Sequence, residues 1–186
     1  TVAPFFAGMD TVANTCSFML YALLSHPGAL ERVLADADAL VTRESITLQD
    51  LKDARSLYGA TLETLRMFPV AAFTPRTAVK PFEFAGCRVE TGAEVLIGNG
   101  VTHYLPEYFP EPHQFDIDRY REPRNEHRRT GVFAPYSLGA HTCLGAGLAE
   151  VQIMLCMAAL LQAVRLELEP PGYHVRTVLA PIPSPG

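Results

Sequence analysis

At 186 residues, 48% of them hydrophobic and 19% charged, the chain is long enough to close a core as one globular domain of ordinary size. A formal net charge of -5 without a long run of Lys or Arg excludes nucleic-acid and polyanion binding. Four cysteines, Cys16, Cys87, Cys143 and Cys156, contain no C-x-x-C pair and are too sparse for a secreted disulfide framework.

In chain order, residues 1–24 read as a helix with little contrast between its faces, hence buried on most sides, and the segment opens as if in mid-element. The run from Thr11 to Leu24 is broken by Asn14, Thr15 and Ser17 and falls short of the roughly 20 residues a membrane span requires. No span or signal peptide is therefore expected, and the expected location is cytoplasmic. Ser25, His26 and Pro27 interrupt the helix. Helical sequence resumes over 28–68, with Leu30, Val33, Leu34, Ala37 and Leu40 at helical spacing, and Thr47 and Asp50 in a capping-box arrangement. Pro69 ends it.

From 73 to 98 the pattern turns to short strands, with Gly86 and Gly92 supplying turns. Residues 105–132 form a long irregular segment carrying Pro106, Pro110, Pro112 and Pro123, a length that usually signals function. A second irregular stretch, 133–143, precedes a nearly continuous apolar helix over 144–164, expected to be deeply buried. Strand-like sequence follows over 165–180. The expected fold class is mainly α with small β-sheets (α+β). Cys16, Cys87 and Cys156 lie in apolar or strand-like sequence and are expected as buried reduced thiols.

Cys143 differs, because its surroundings are rich in glycine and polar groups: Tyr136-Ser-Leu-Gly139-Ala-His141-Thr-Cys143-Leu-Gly145. A thiolate that ligates a haem iron needs an ionised sulfur, a loop flat against the porphyrin and donors for its charge. Gly139 and Gly145 remove side chains where backbone approaches a planar ligand. A position just before a helix supplies unpaired N–H groups and a favourable dipole, which lower a thiol pKa and favour metal ligation. His141 can donate to a propionate. A buried thiol before a helix, with glycines that only make a turn, is the alternative.

This loop resembles the haem-binding loop of the cytochrome P-450 family, Phe-x-x-Gly-x-Arg/His-x-Cys-x-Gly, with Tyr136 where the family usually has Phe. The resemblance implies the C-terminal part of that fold, from mid helix I through helix L, with a longer N-terminal portion expected in a complete member. It implies haem b, ligated by Cys143 and contacted by residues of the loop. Other segments match in order. Glu63-Thr-Leu-Arg66 resembles the family's helix K pair; on spacing alone it reads as a surface salt bridge. With Arg119, in Phe115-Asp-Ile-Asp-Arg119-Tyr120, the resemblance makes Glu63, Arg66 and Arg119 a structural triad that fixes the cysteine loop. Arg76 is implied as a propionate ligand, a strand-end surface Arg being the alternative. Val70, Ala71, Ala72 and Phe73 resemble a substrate-lining stretch.

Ala7-Gly8-Met9-Asp10-Thr11 resembles the oxygen-binding groove of helix I, where the helix widens locally. Thr11 would hold a water there and Asp10 would link it to a proton supply; a polar helix terminus capped by Asp10 is the alternative. The implied function is a haem-thiolate monooxygenase that inserts one atom of O2 into a small apolar substrate, with a ferredoxin- or flavoprotein-type electron donor. Arg121, Arg124, Arg128 and Arg129 would either meet an acidic donor or form an ordinary solvated loop. A non-catalytic haem-binding piece and an H2O2-driven peroxygenase are the competing readings. The Asp10–Thr11 pair counts against the peroxygenase. Apolar faces left open in so short a piece are expected to favour self-association.

Overall fold

The computed structural model describes residues 3–178 and 182–185. Helix α1 (Ala3–Ser25) turns at His26 into α2 (Pro27–Val41), with Pro27 at the first helical position, where its missing N–H costs nothing. The expected capping box is present. The Thr47 hydroxyl accepts from the Asp50 amide, and the Asp50 carboxylate accepts from the Thr47 amide at 2.8 Å, opening α3 (Leu48–Asp53). Ala54 breaks the helix before α4 (Arg55–Met67). No side chain of its own caps α4. The Asp36 carboxylate on α2 does so instead, accepting from the amides of Ser56 at 2.6 Å and Leu57 at 3.0 Å.

Four short strands follow in two antiparallel pairs. β1 (Phe73–Thr77) runs against β4 (Glu94–Gly98) with Arg76 opposite Val95, and β2 (Phe82–Phe84) pairs with β3 (Cys87–Val89). The segment 105–132 is irregular as expected. It is bound to α2 by a bidentate Arg32–Asp118 pair at 2.6 and 2.8 Å. Helix α5 (Ala146–Ala163) starts two residues later than expected. Among the described residues of the terminal segment, only β5 (Thr177–Val178) forms a strand, paired with β6 (Ser184–Pro185). Residues 165–168 take no strand because no partner lies beside them among the described residues; 179–180 lie outside the described residues.

One core joins α1, α2, α4 and α5 through Met19, Leu23, Val33, Leu40, Leu57, Ile153, Met154 and Met157, with Phe115 and Ile117 of the irregular segment packed onto it. The expectations that α1 is buried on most sides and α5 deeply buried are corrected. α5 buries Ile153, Met154, Met157, Ala158 and Leu161 and leaves Leu148, Leu155 and Leu160 exposed. α1 exposes Met9, Asp10, Ala13 and Ser17. By length and composition α5 suffices to cross a membrane, yet its buried stripe packs on four other helices. The thiols are corrected too: Cys87 and Cys156 are exposed, and Cys16 is half-buried with its thiol pushed up to about 11 by burial and then by neighbouring Cys156.

The close approach of Phe115 and Ile117 to α4 rests on Gly59. A Cβ there would sit 2.2 Å from the Ile117 carbonyl oxygen, so only glycine admits that backbone. Gly59→Ala should lower unfolding stability by about 1–3 kcal/mol through overpacking, and Asp36→Ala by about 1–2 kcal/mol through loss of a cap. Both are measured by denaturant titration; an unchanged midpoint in either would contradict the packing described.

Candidate functional site

The site is built outward from a buried charge cluster. Glu63, Arg66 and Arg119 are 0%, 0% and 1% exposed, so the surface-bridge alternative for the helix K-like pair is excluded. Glu63 accepts five hydrogen bonds: from Arg66 Nε and Nη2 at 2.8 Å each, Arg119 Nε at 3.1 Å, the Asp116 amide at 3.0 Å and the Tyr120 hydroxyl at 2.6 Å. Two guanidiniums against one carboxylate would leave a buried positive charge. Glu126, 3.0 Å from Arg119, restores neutrality. The remaining guanidinium N–H groups reach backbone carbonyls of His103, Pro110, Glu111 and Gln114. Burial, with Glu63 alongside, holds the Tyr120 phenol far above its ordinary pKa, so it serves only as a neutral donor. Glu126, Tyr120 and Gly59 were missed in the sequence, although Tyr120 lies directly after Arg119.

His103, also missed, is fully buried. Its Nδ1 lies 3.1 Å from the Arg66 carbonyl, and its Nε2 accepts from the Ala134 amide at 2.9 Å. Burial pushes its pKa down to about 4. Beside it the Thr102 hydroxyl donates to the Val132 carbonyl at 2.6 Å, and Phe133 stacks among Phe109, Tyr120 and His103. These contacts fix the leg of the cysteine loop that enters from the irregular segment.

The loop then closes on itself. The Ser137 amide donates to Ala134 O at 3.1 Å, Cys143 N–H to Tyr136 O at 2.9 Å, and Thr142 N–H to Gly139 O at 3.1 Å. Gly139 has φ +72°, a left-handed conformation that glycine adopts without strain. Its Cβ position is open, so conformation rather than crowding calls for glycine. A Cβ on Gly145 would lie 3.8 Å from Cys143 Sγ, placing this residue beside the sulfur. Residues 138–144 are exposed, Cys143 and His141 among them. The Tyr136 ring packs against Leu62, Leu65 and Tyr120, while its hydroxyl is buried without a partner and its pKa is raised by burial.

Arg76 is half-buried on β1. Its guanidinium donates to the Pro75 carbonyl at 2.8 Å and pairs with no acidic side chain among the described residues. Ala71 and Phe73 are exposed, and Val70 and Ala72 half-buried, so no enclosed substrate pocket forms around them in the described structure. Residues 7–11 lie within the α-helix Ala3–Ser25. The Thr11 hydroxyl donates to Ala7 O at 2.8 Å, which leaves its oxygen free to accept. Asp10 is exposed rather than buried. The arginine cluster is engaged locally. Arg121 pairs with Asp118, Arg124 with Asp116 and Glu126, and Arg128 with Glu122, while Arg129 binds the Glu107 carbonyl.

Among the described residues, no three His, Cys, Asp or Glu side chains gather into a metal cage. A metal held by Cys143 would therefore bring most of its own ligands. An accessible thiol on a glycine-flanked loop, with Arg76 and His141 free of acidic partners among the described residues, suits an iron carried in a planar tetrapyrrole with carboxylate arms.

Comparison with known proteins agrees. The family model for Cytochrome P450 matches residues 1–179, and the chain belongs to that family. It is 35% identical over 170 residues to a sterol 14alpha-demethylase of Mycolicibacterium vanbaalenii, covering 89% of this chain and 37% of that protein. It is 32% identical over 160 residues to the cyclooctat-9-en-7-ol 5-monooxygenase of Streptomyces melanosporofaciens, covering 86% and 35%. The crystal structure of the cytochrome P450DA heme domain superposes with a TM-score of 0.85 at 24% identity, over 97% of this chain and 40% of that one. The chain thus spans well under half the length of these relatives. The fold class is that of part of the family's haem domain, and the family implies a haem cofactor.

Two outcomes follow from this geometry. Glu63→Ala strands two buried guanidiniums on one remaining carboxylate and should cost about 3–5 kcal/mol, measured by chemical denaturation. For His103 the folded pKa lies below the unfolded value near 6.5, so the unfolded state takes up its proton first. Its contribution to stability is fully present above about pH 6.5 and declines as the pH falls toward about 4, by roughly 3 kcal/mol in all. An NMR titration of the His103 ring should show a midpoint near 4, and a midpoint near 6.5 would contradict the burial described.

Proposed function

We propose that this chain carries the thiolate-bearing part of a haem-thiolate monooxygenase, and that Cys143 ligates the iron of haem b. The observation that carries the reading is the exposed Cys143 thiol on a loop whose backbone is closed by the Cys143–Tyr136 bond and tied to a buried, charge-neutral cluster. The Arg76 guanidinium and the His141 ring would bind the two carboxylate arms, each acting as a cation or donor without an internal acidic competitor. Bound haem would supply the iron at which O2 is activated. The chain's own part in that chemistry is to hold an anionic sulfur still and to deliver protons.

Asp10 and Thr11 suit the second task. Exposure lets Asp10 exchange protons with water, and the Thr11 oxygen accepts a hydrogen bond while its own proton is committed to Ala7. The substrate is proposed to be a small apolar molecule, on the apolar character of Val70, Ala71, Ala72 and Phe73, and the electron donor to be a ferredoxin or flavoprotein. A cytoplasmic location accompanies this reading. A second reading, haem binding without turnover, is supported by the exposure of residues 71 and 73, which enclose no substrate in the described structure.

The test is the absorption spectrum of the reduced, CO-bound, haem-loaded protein. A thiolate-type Soret band is expected, and Cys143→Ser should abolish it while leaving the fold intact; its absence from the unsubstituted protein would falsify the assignment. Asp10→Asn and Thr11→Ala should each slow donor-linked turnover on the order of 10²-fold with that spectrum unchanged. A correct spectrum with no turnover in the unsubstituted protein selects the second reading.

A further inference from the structure

We propose that His103 is the positioning residue of the cysteine loop, acting through the Ala134 amide as a neutral imidazole. The inference rests on Cys143 being the iron ligand. It concerns a residue outside both the buried triad and the loop itself.

The two partners of the ring fix its tautomer. The Arg66 carbonyl can only accept, so Nδ1 carries the proton; the Ala134 N–H can only donate, so Nε2 is bare. A protonated ring would turn Nε2 into a donor facing another donor. The charged groups around it are Arg66, which carries the accepting carbonyl, and Glu63, which is committed to its two guanidiniums and Tyr120. Phe109 and Phe133 wall the ring, with centroids 6.2 and 5.3 Å away. Among the described residues the Ala134 amide donates to His103 Nε2 and to no backbone carbonyl.

The consequence runs along the backbone. Ala134 is the first residue of the turn whose carbonyl takes the Ser137 amide, and Tyr136 within that turn accepts the Cys143 amide. His103 therefore sets the starting point of the loop, and the loop sets where the sulfur lies. The other face of the ring is anchored to the helix that carries Glu63 and Arg66. One imidazole thus transmits the rigidity of the buried cluster to the ligand loop. The triad makes no direct hydrogen bond to residues 132–143 among the described residues.

Two substitutions separate this role from general support. Gln at 103 can present an acceptor near the Nε2 position, and Asn can present a donor near the Nδ1 position. Each variant keeps one of the two bonds, so His103→Gln and His103→Asn should lose similar global stability. In His103→Asn, amide hydrogen exchange at residues 134–143 should accelerate about tenfold relative to α2, as one lost bond predicts, and the reduced CO spectrum should move from thiolate-type toward thiol-type. In His103→Gln both readouts should stay near those of the unsubstituted protein. Equal exchange and equal spectra in the two variants overturn the proposal, as does loss of the thiolate band in the Gln variant. Should the unsubstituted protein show no thiolate band, the haem assignment fails by itself, and the exchange comparison still decides whether His103 orders the loop.

Discussion

The fold depends on a carboxylate that has been taken wholly out of water. Glu63 is stable as a buried anion because five donors surround it and because Arg119 brings a second carboxylate, Glu126, to balance the charge. Desolvating such ions is costly, and the cost is offset only when every lone pair and N–H finds a partner. That condition drags distant segments together. The 3₁₀ turn ending at Tyr104, the proline-rich segment and helix α4 must all converge to supply carbonyls and guanidiniums, and Gly59 must leave room for the Ile117 carbonyl. An irregular segment of this length holds one conformation here because its polar groups are spent on the cluster.

Rigidity generated there is used at the surface. The cysteine loop is exposed and has little core of its own, so its shape comes from short backbone bonds and from the anchors at Val132 and Ala134. A thiolate ligand benefits from this division. Its sulfur must stay accessible to a large planar cofactor, yet the loop must not pay ordering entropy each time the cofactor binds. Tyr136 adds a local irregularity: its ring fills the position an aromatic must fill, and its hydroxyl is left buried without a partner.

Much of this was legible in the sequence because it is written in local patterns. Helical spacing, Pro27 and Pro69, the Thr47–Asp50 box and the turn glycines place most elements to within two or three residues. The loop around Cys143 and the Glu63–Arg66 spacing point to family and chemistry by residue type and order alone. Burial did not follow from composition: α5 is apolar on nearly every face, but only the side that meets α1, α2, α3 and α4 is covered. Terminal strands need partners, and residues 165–168 found none among the described residues.

The sequence by itself determined most of the secondary structure, the candidate ligand and the members of the triad, since each depends on neighbours a few positions away or on a recognisable order of motifs. Tertiary structure alone decided that Glu126 neutralises the cluster, that Asp36 caps another helix, that Arg121, Arg124 and Arg128 are already paired, and that His103 bridges Arg66 to Ala134. Apart from Arg121–Asp118 and Arg124–Glu126, those contacts join residues 6 to 37 positions apart, and hydrogen bonding and charge balance at such separations leave no periodic trace along a chain.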